Sequence, residues 1–201
     1  KYADWRTACI NAATDLYGAN SNEVIQVKNA WYAVGIGTAG GGGNNYCTSN
    51  GNSTDHGYIQ RVRLSKTSLN NGSGNDNGYG DYTSISGNVS NGTNYILYLR
   101  SAFSGQKYAT GWSVYIDYNG DKDFNDAGEL VGSKSYDATT QIDTIQFSIP
   151  SGAMTGATRM RIQMHAGNII TDPCASFDYG EVEDYTLNIT GSGLINSFAV
   201  P

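Results

Sequence analysis

The sequence predicts a mainly β protein: an antiparallel β-sandwich of the immunoglobulin, fibronectin or jelly-roll kind, carrying an N-terminal αα-hairpin. Three observations predict it. The 201 residues include 26 Gly and 15 Tyr amid many Asn, Ser and Thr, a composition of turn-rich, strand-rich domains. From Cys47 onward apolar residues recur at every second position in short runs, the period of a half-buried strand. Before Gly35 the spacing is instead three and four, the period of a helix face.

The first helix spans 4–17, with Trp5, Ala8, Cys9, Ala12, Ala13 and Leu16 on one side and Gly18 as its stop. Asn20 or Ser21 caps a second, whose face is Val24, Val27, Trp31 and Val34. Cys9 on the apolar face reads as a buried thiol. Two helices bury little by themselves, so the pair needs a further surface. "GIGTAGGGGNN" (35–45) follows as a flexible linker. Strands are then expected at 58–65, 94–101, 111–118, 142–150, 158–165 and 184–190, with two more at 82–87 and 129–136. Residues 69–84, "LNNGSGNDNGYGDYTS", read as a long loop.

Charged residues make up 15% of the chain and the formal net charge is −6. No basic stripe is present to neutralise phosphates, which excludes nucleic acid as a partner class. No apolar run reaches the length of a membrane span. The opening "KYADWRTACINAATDLYG" is an amphipathic helix and not a signal peptide, so the expectation is a processed or truncated C-terminal piece of a longer product. Three cysteines are too few for a disulfide scaffold and lack CxxC spacing. Cys47 and Cys174 bracket the β-rich region and form the expected bridge; the alternative is three thiols.

Two segments carry known signatures. "ATDLYGANSNEVIQVKNAWYAVGIG" (13–37) resembles the C-terminal end of thermolysin-like neutral zinc metallopeptidases. In that family these are the last helices of the catalytic unit, and the HExxH, the third zinc ligand and the catalytic histidine lie upstream. None is present here: the histidines are His56 and His165, both in the β-rich part. "YGEVEDYTLNI" (179–189), with "GYIQRVRLS", "GYGDYT", "VYIDYNGDKDFNDAGEL" and "RMRIQMHAGNIITDPCASFDYGEVEDY", resembles the bacterial GEVED domain over 46–190. That resemblance implies a β-sandwich accessory of secreted enzymes and adhesins. The family often has Gly where Lys122 stands. "GSGLINSFAVP" (191–201) resembles the run-in to a type IX secretion sorting domain. The expected domains are therefore 1–36, a hairpin like the end of a peptidase domain; 37–45, a linker; 46–190, the GEVED-like sandwich; and 191–201, a C-terminal linker.

Nine of the eighteen acids fall in two short segments, which reads as local site-building. In "DYNGDKDFNDAGEL" (117–130), Asp117, Asn119, Asp121 and Asp123 stand at alternate positions, followed by Asp126 and Glu129. Hard calcium takes six to eight oxygens, and this pattern offers them from one tight loop. The loop is not an EF-hand, because Lys122 stands at position six and Gly128 at position twelve. The bland alternative is a solvated hairpin tip with Lys122 as counter-charge. In "YGEVEDYTLN", Glu181, Glu183 and Asp184 form a candidate second acidic site. It would take a cation, or pair with Arg61, Arg159 or Arg161 on neighbouring strands. Tyr79, Tyr82 and Trp112 are candidates for an aromatic ligand platform.

The functional expectation is a noncatalytic accessory module of a secreted zinc metalloprotease, holding Ca2+ but no zinc. It would be secreted or surface-bound by the type IX route. Its partner would be an extracellular polymer, a cell-surface target or its own peptidase domain. The other reading is a self-assembling structural subunit that forms a filament through its helices and an open sheet edge.

Overall fold

Strands with one apolar side are stable when two sheets close that side between them, and the computed structural model shows this arrangement. It describes residues 1–18, 22–37, 46–138 and 142–191. The chain runs through α1 (Tyr2–Tyr17) and α2 (Asn22–Ala33), then β1 (Asn50–Ser53), β2 (Tyr58–Leu64), β3 (Asn70–Asn71), β4 (Tyr79–Ser90) and β5 (Asn94–Ala102). It continues through β6 (Thr110–Ile116), β7 (Leu130–Tyr136), β8 (Asp143–Ser148), β9 (Gly156–Ala166) and β10 (Ser176–Thr190). One sheet has the order β1-β10-β9-β6-β7, with β4 also on β10; the other is β3-β2-β5-β8.

All eight expected strand segments fall on strands. Two more were hidden from periodicity: β1 and β3, built of Asn, Gly and Ser. The expected loop at 69–84 is shorter, since β3 and the start of β4 lie inside it. β10 begins eight residues before the expected 184, and Gly180 at φ 140° lies within it. Not every pairing is antiparallel. β10 runs parallel to β1 and to β4, because each is reached by a long connection and not by a hairpin.

The core is the closed side of both sheets. Trp112, Val114, Ile116, Met160, Ile162, Met164, Tyr185, Leu187 and Ile189 face Ile59, Val62, Leu64, Leu97, Leu99, Ile145 and Phe147. The step from Ile59 to Val62 breaks strict alternation. A register irregularity between Ile59 and Arg61 against β5 shifts the phase, so both apolar residues point inward.

The larger sheet is buried on its outer side as well. Two arms, residues 46–53 and 168–176, lie against Ser113, Arg161 and Gln163. The Cys47–Cys174 disulfide joins the arms as expected. Tyr46 stacks on Phe124, which also packs against Tyr115. Hence every residue of β6 is buried.

The helices pack on each other through Ala13 and Val24. Most of the expected apolar face stays open, with Trp5 69% and Leu16 74% exposed. Cys9 is exposed too, which corrects its reading as a buried thiol: the covered positions of α1 are Arg6, Ile10, Ala13 and Thr14, a stripe centred to one side of Cys9. The expected cap at Asn20 or Ser21, the linker beyond Gly37 and the C-terminal segment beyond Gly191 lie outside the described residues. No described helix is long and apolar enough to cross a membrane.

Candidate functional site

The acids of the Gly-Glu-Val-Glu-Asp run have different neighbours because β10 alternates sides. Glu181 and Glu183 share the inward row with Tyr185, Leu187 and Ile189, so they sit at the end of the core. Asp184 points to the outer side. All three are fully buried. Gly180 has no room for a side chain: a Cβ there would lie 1.9 Å from the Met164 carbonyl oxygen.

Asp184 is the charge partner of the arginines. Its Oδ1 accepts from Arg161 Nε at 2.9 Å and its Oδ2 from Arg161 Nη2 at 2.9 Å, Arg159 Nη1 at 3.3 Å and Tyr79 Oη at 3.1 Å. Arg161 stands directly opposite Asp184 on β9. Its Nη1 donates to the Pro173 carbonyl, in the disulfide-joined arm. Of the three acids expected to take a cation or to pair with Arg61, Arg159 or Arg161, Asp184 alone pairs, with Arg159 and Arg161. Arg61 donates to Asn70 instead.

Glu181 bridges backbone. Its Oε2 accepts from the Ile59 N–H at 2.8 Å and its Oε1 from the Asp76 N–H at 2.7 Å. Glu183 Oε2 accepts from Tyr185 Oη at 2.6 Å, while its Oε1 is buried without a hydrogen-bond partner. Tyr185 in turn accepts from Asn71 and stacks on Tyr82, which donates to Asp76 Oδ2 at 2.7 Å. Burial pushes Glu181 up to about 7 and Glu183 up to about 8, the second aided by the negative charges of Glu181 and Asp76. Among the described residues, Asp76, Glu181 and Glu183 form the one group of three acidic side chains with oxygens all within 4.8 Å of one another. Asp76 was not anticipated. It lies in the Gly- and Asn-rich stretch 72–78, where nothing in the local pattern marks one acid as special.

The loop 117–129 is organised by its own backbone. Asp117 is fully buried and accepts from Tyr46 Oη at 2.6 Å, Gly120 N–H at 2.6 Å and Lys122 N–H at 3.1 Å. Asn119, Asp121 and Asp123 each accept from the N–H two residues on. Glu129 accepts from the Tyr118 and Asp126 N–H groups. The Asn119 amide donates to both Asp121 and Asp126. The six predicted residues share one loop, in which Asp121 and Asp126 meet around Asn119, but among the described residues no three of its acids bring oxygens within 4.8 Å of one another. Burial, then the neighbouring Asp123, pushes Asp121 up to about 6; burial, then Asp117, pushes Glu129 up to about 8. Lys122 adopts φ 69°, the left-handed conformation that favours glycine.

The aromatic platform is not assembled. Trp112 is 0% exposed and donates its indole N–H to Asp143 at 2.5 Å, because β6 turns it into the core. Tyr82 leans on Tyr185, and Tyr79, on β4, is tied to Asp184.

Residues 111–188 match the family model of the GEVED domain, and residues 1–36 match that of the thermolysin metallopeptidase alpha-helical domain. This is the arrangement that the sequence resemblances imply. No curated protein matches the chain. Among solved structures it is similar to the CARDB domain of a Pyrococcus furiosus protein in complex with di-metal ions, at 12% identity, 52% of this chain, 86% of that one and TM-score 0.32. It is also similar to the apo form of the Calx CBD1 domain, at 8% identity, 55% and 91% coverage and TM-score 0.31. A third is a chitin binding domain from Burkholderia pseudomallei, at 11% identity, 51% and 56% coverage and TM-score 0.29.

Proposed function

We propose that the chain is the noncatalytic C-terminal accessory module of a secreted bacterial zinc metalloprotease, stabilised by calcium and binding a substrate or surface polymer. One observation carries the reading. The segment that matches the thermolysin alpha-helical domain leaves Tyr2, Trp5, Leu16, Tyr17 and Tyr32 exposed, whereas the sandwich closes its own core. A peptidase body packed on the hairpin would cover those side chains. In this reading residues 1–36 complete the catalytic unit, 37–45 connect, 46–190 form the module and 191–201 lead onward to the type IX sorting signal.

Calcium belongs to the loop 117–129 in the same reading. Asp121 and Asp126 already meet around one neutral donor, the Asn119 amide, and Asp126 Oδ1 is buried without a partner. A cation bound among Asp117, Asn119, Asp121, Asp123, Asp126 and Glu129 would relieve their repulsion. The test is retention of the pure chain on collagen, elastin, chitin and cell-wall material, with calcium or with chelator. Calcium-dependent retention on one of them is expected. Passage through all four in calcium removes the targeting role.

A further inference from the structure

Glu183 Oε1 has no hydrogen-bond partner of its own: the Ser73 hydroxyl, which stands near enough to favour the charged carboxylate, donates to the Ile59 carbonyl. A carboxylate on the core side of a central strand, fully buried, keeps one oxygen without a donor, and such a group is costly unless something compensates it. Its nearest acidic neighbours repel it further. Around it, both oxygens of Glu181 take backbone N–H groups, Asp76 Oδ2 takes Tyr82 and Glu183 Oε2 takes Tyr185.

We propose that Asp76, Glu181 and Glu183 hold a divalent cation of the calcium type, separate from the loop 117–129, which fastens the 72–78 segment to β10. Oxygens bound to one calcium lie about 2.4 Å from it, so they are at most about 4.8 Å apart. The three side chains meet that limit mutually. The group contains no histidine or thiol, which selects a hard, oxygen-seeking ion. Asp76 is partly exposed and supplies the entry side. The backbone leaves space for its carboxylate: a Cβ at Gly80 would lie 2.6 Å from Asp76 Oδ2. The ion would neutralise the end of the core row and complete the contact that Glu181 makes between the sheets. This site does not depend on the protease reading or on calcium in the other loop.

Terbium luminescence tests it, since Tyr82 and Tyr185 stand beside the site and can sensitise the ion. The chelator-stripped full chain carries Asp121→Asn and Asp126→Asn, which removes ligands of the other loop. In that background terbium is expected to give a sensitised signal that calcium displaces. Adding Asp76→Asn, or separately Glu183→Gln, is expected to weaken binding at least tenfold with an unchanged circular dichroism spectrum. Asp76 lies on a partly exposed segment, so its variant keeps the test decisive even where Glu183→Gln fails to fold. No sensitised signal in the background protein overturns the proposal, and so does Asp76→Asn binding as tightly as its parent. If the other loop holds no ion, the background protein binds calcium as the unmodified chain does, and the Asp76→Asn comparison still decides.

Discussion

Glu181, on the larger sheet, accepts the backbone N–H of Ile59, on the smaller sheet, at 2.8 Å. A side chain thus stitches the two layers where the core row runs out of apolar residues. Its second oxygen takes the Asp76 N–H, so one carboxylate satisfies two backbone donors from separate segments of the chain.

Glu181→Ala is therefore expected to destabilise the sandwich by about 3 kcal/mol, because two N–H groups lose their acceptor and a cavity opens. Glu181→Gln keeps one acceptor oxygen and is expected to lose about half as much. Urea unfolding in chelator measures both. Equal loss in the two variants would show that the charge, and not the acceptor geometry, is what matters.

Asp184 and Arg161 make the second prediction. Both are buried and form two parallel bonds. Asp184→Asn leaves a buried guanidinium without its counter-charge and is expected to cost about 3–5 kcal/mol. Arg161→Met is expected to cost a similar amount. The double variant should fall well short of the sum, since each change already removes the pair. Additive losses in a denaturation cycle would refute the pairing.

Much of this was legible in the sequence, and the reason is physical. The pieces "NYILYLRS" and "TRMRIQMH" alternate because one side of each strand is apolar, so β5 and β9 could be read directly. β1 and β3 could not: Asn50–Ser53 and Asn70–Asn71 are held by backbone pairing to β10 and β2 and carry no side-chain pattern. Alternation also placed Glu181 and Glu183 on one side of β10. It could not tell that this side was the core, because two glutamates in a row normally announce solvent. Asp76 lies over a hundred residues earlier, and only the packing of 72–78 against β10 brings it near. Trp112, a candidate for the ligand platform, stands in an apolar run that fits the core equally well, and the core is where it lies.

Asp143 gives a pH prediction. Its carboxylate is buried beneath Trp112 and Thr110, with Oδ1 unpartnered. Burial pushes its pKa up; the Trp112 and Thr110 bonds oppose this, Asp137 adds to it and Lys134 opposes it. The folded state therefore holds the proton more tightly than the unfolded state. Its stabilising contribution is complete below the unfolded value near 3.8 and is lost as pH rises through the folded value. Asp143→Asn does not titrate. The wild-type melting temperature is expected to fall relative to the variant as pH rises from about 4, and the variant to be more stable at neutral pH by about 1 kcal/mol. A constant difference between the two curves would place the carboxyl outside the titrating set.

The disulfide makes the last prediction. Cys47 and Cys174 are 127 residues apart in sequence, and closing so long a loop contributes about 5 kcal/mol in the chain-entropy account. The bond also holds the arms that bring Tyr46 onto Asp117 and Pro173 onto Arg161. Cys174→Ser is therefore expected to lower the denaturation midpoint sharply and to speed amide exchange first at Gly120 and Lys122, whose N–H groups depend on a positioned Asp117. Exchange at Leu97 and Ile145, in the smaller sheet, should follow only the global loss. Cys9→Ser is the matched control: Cys9 is exposed, and its removal should shift stability by less than about 0.5 kcal/mol. Uniform acceleration across both sheets in Cys174→Ser would mean that the bond acts through the unfolded chain alone and does not position the arms.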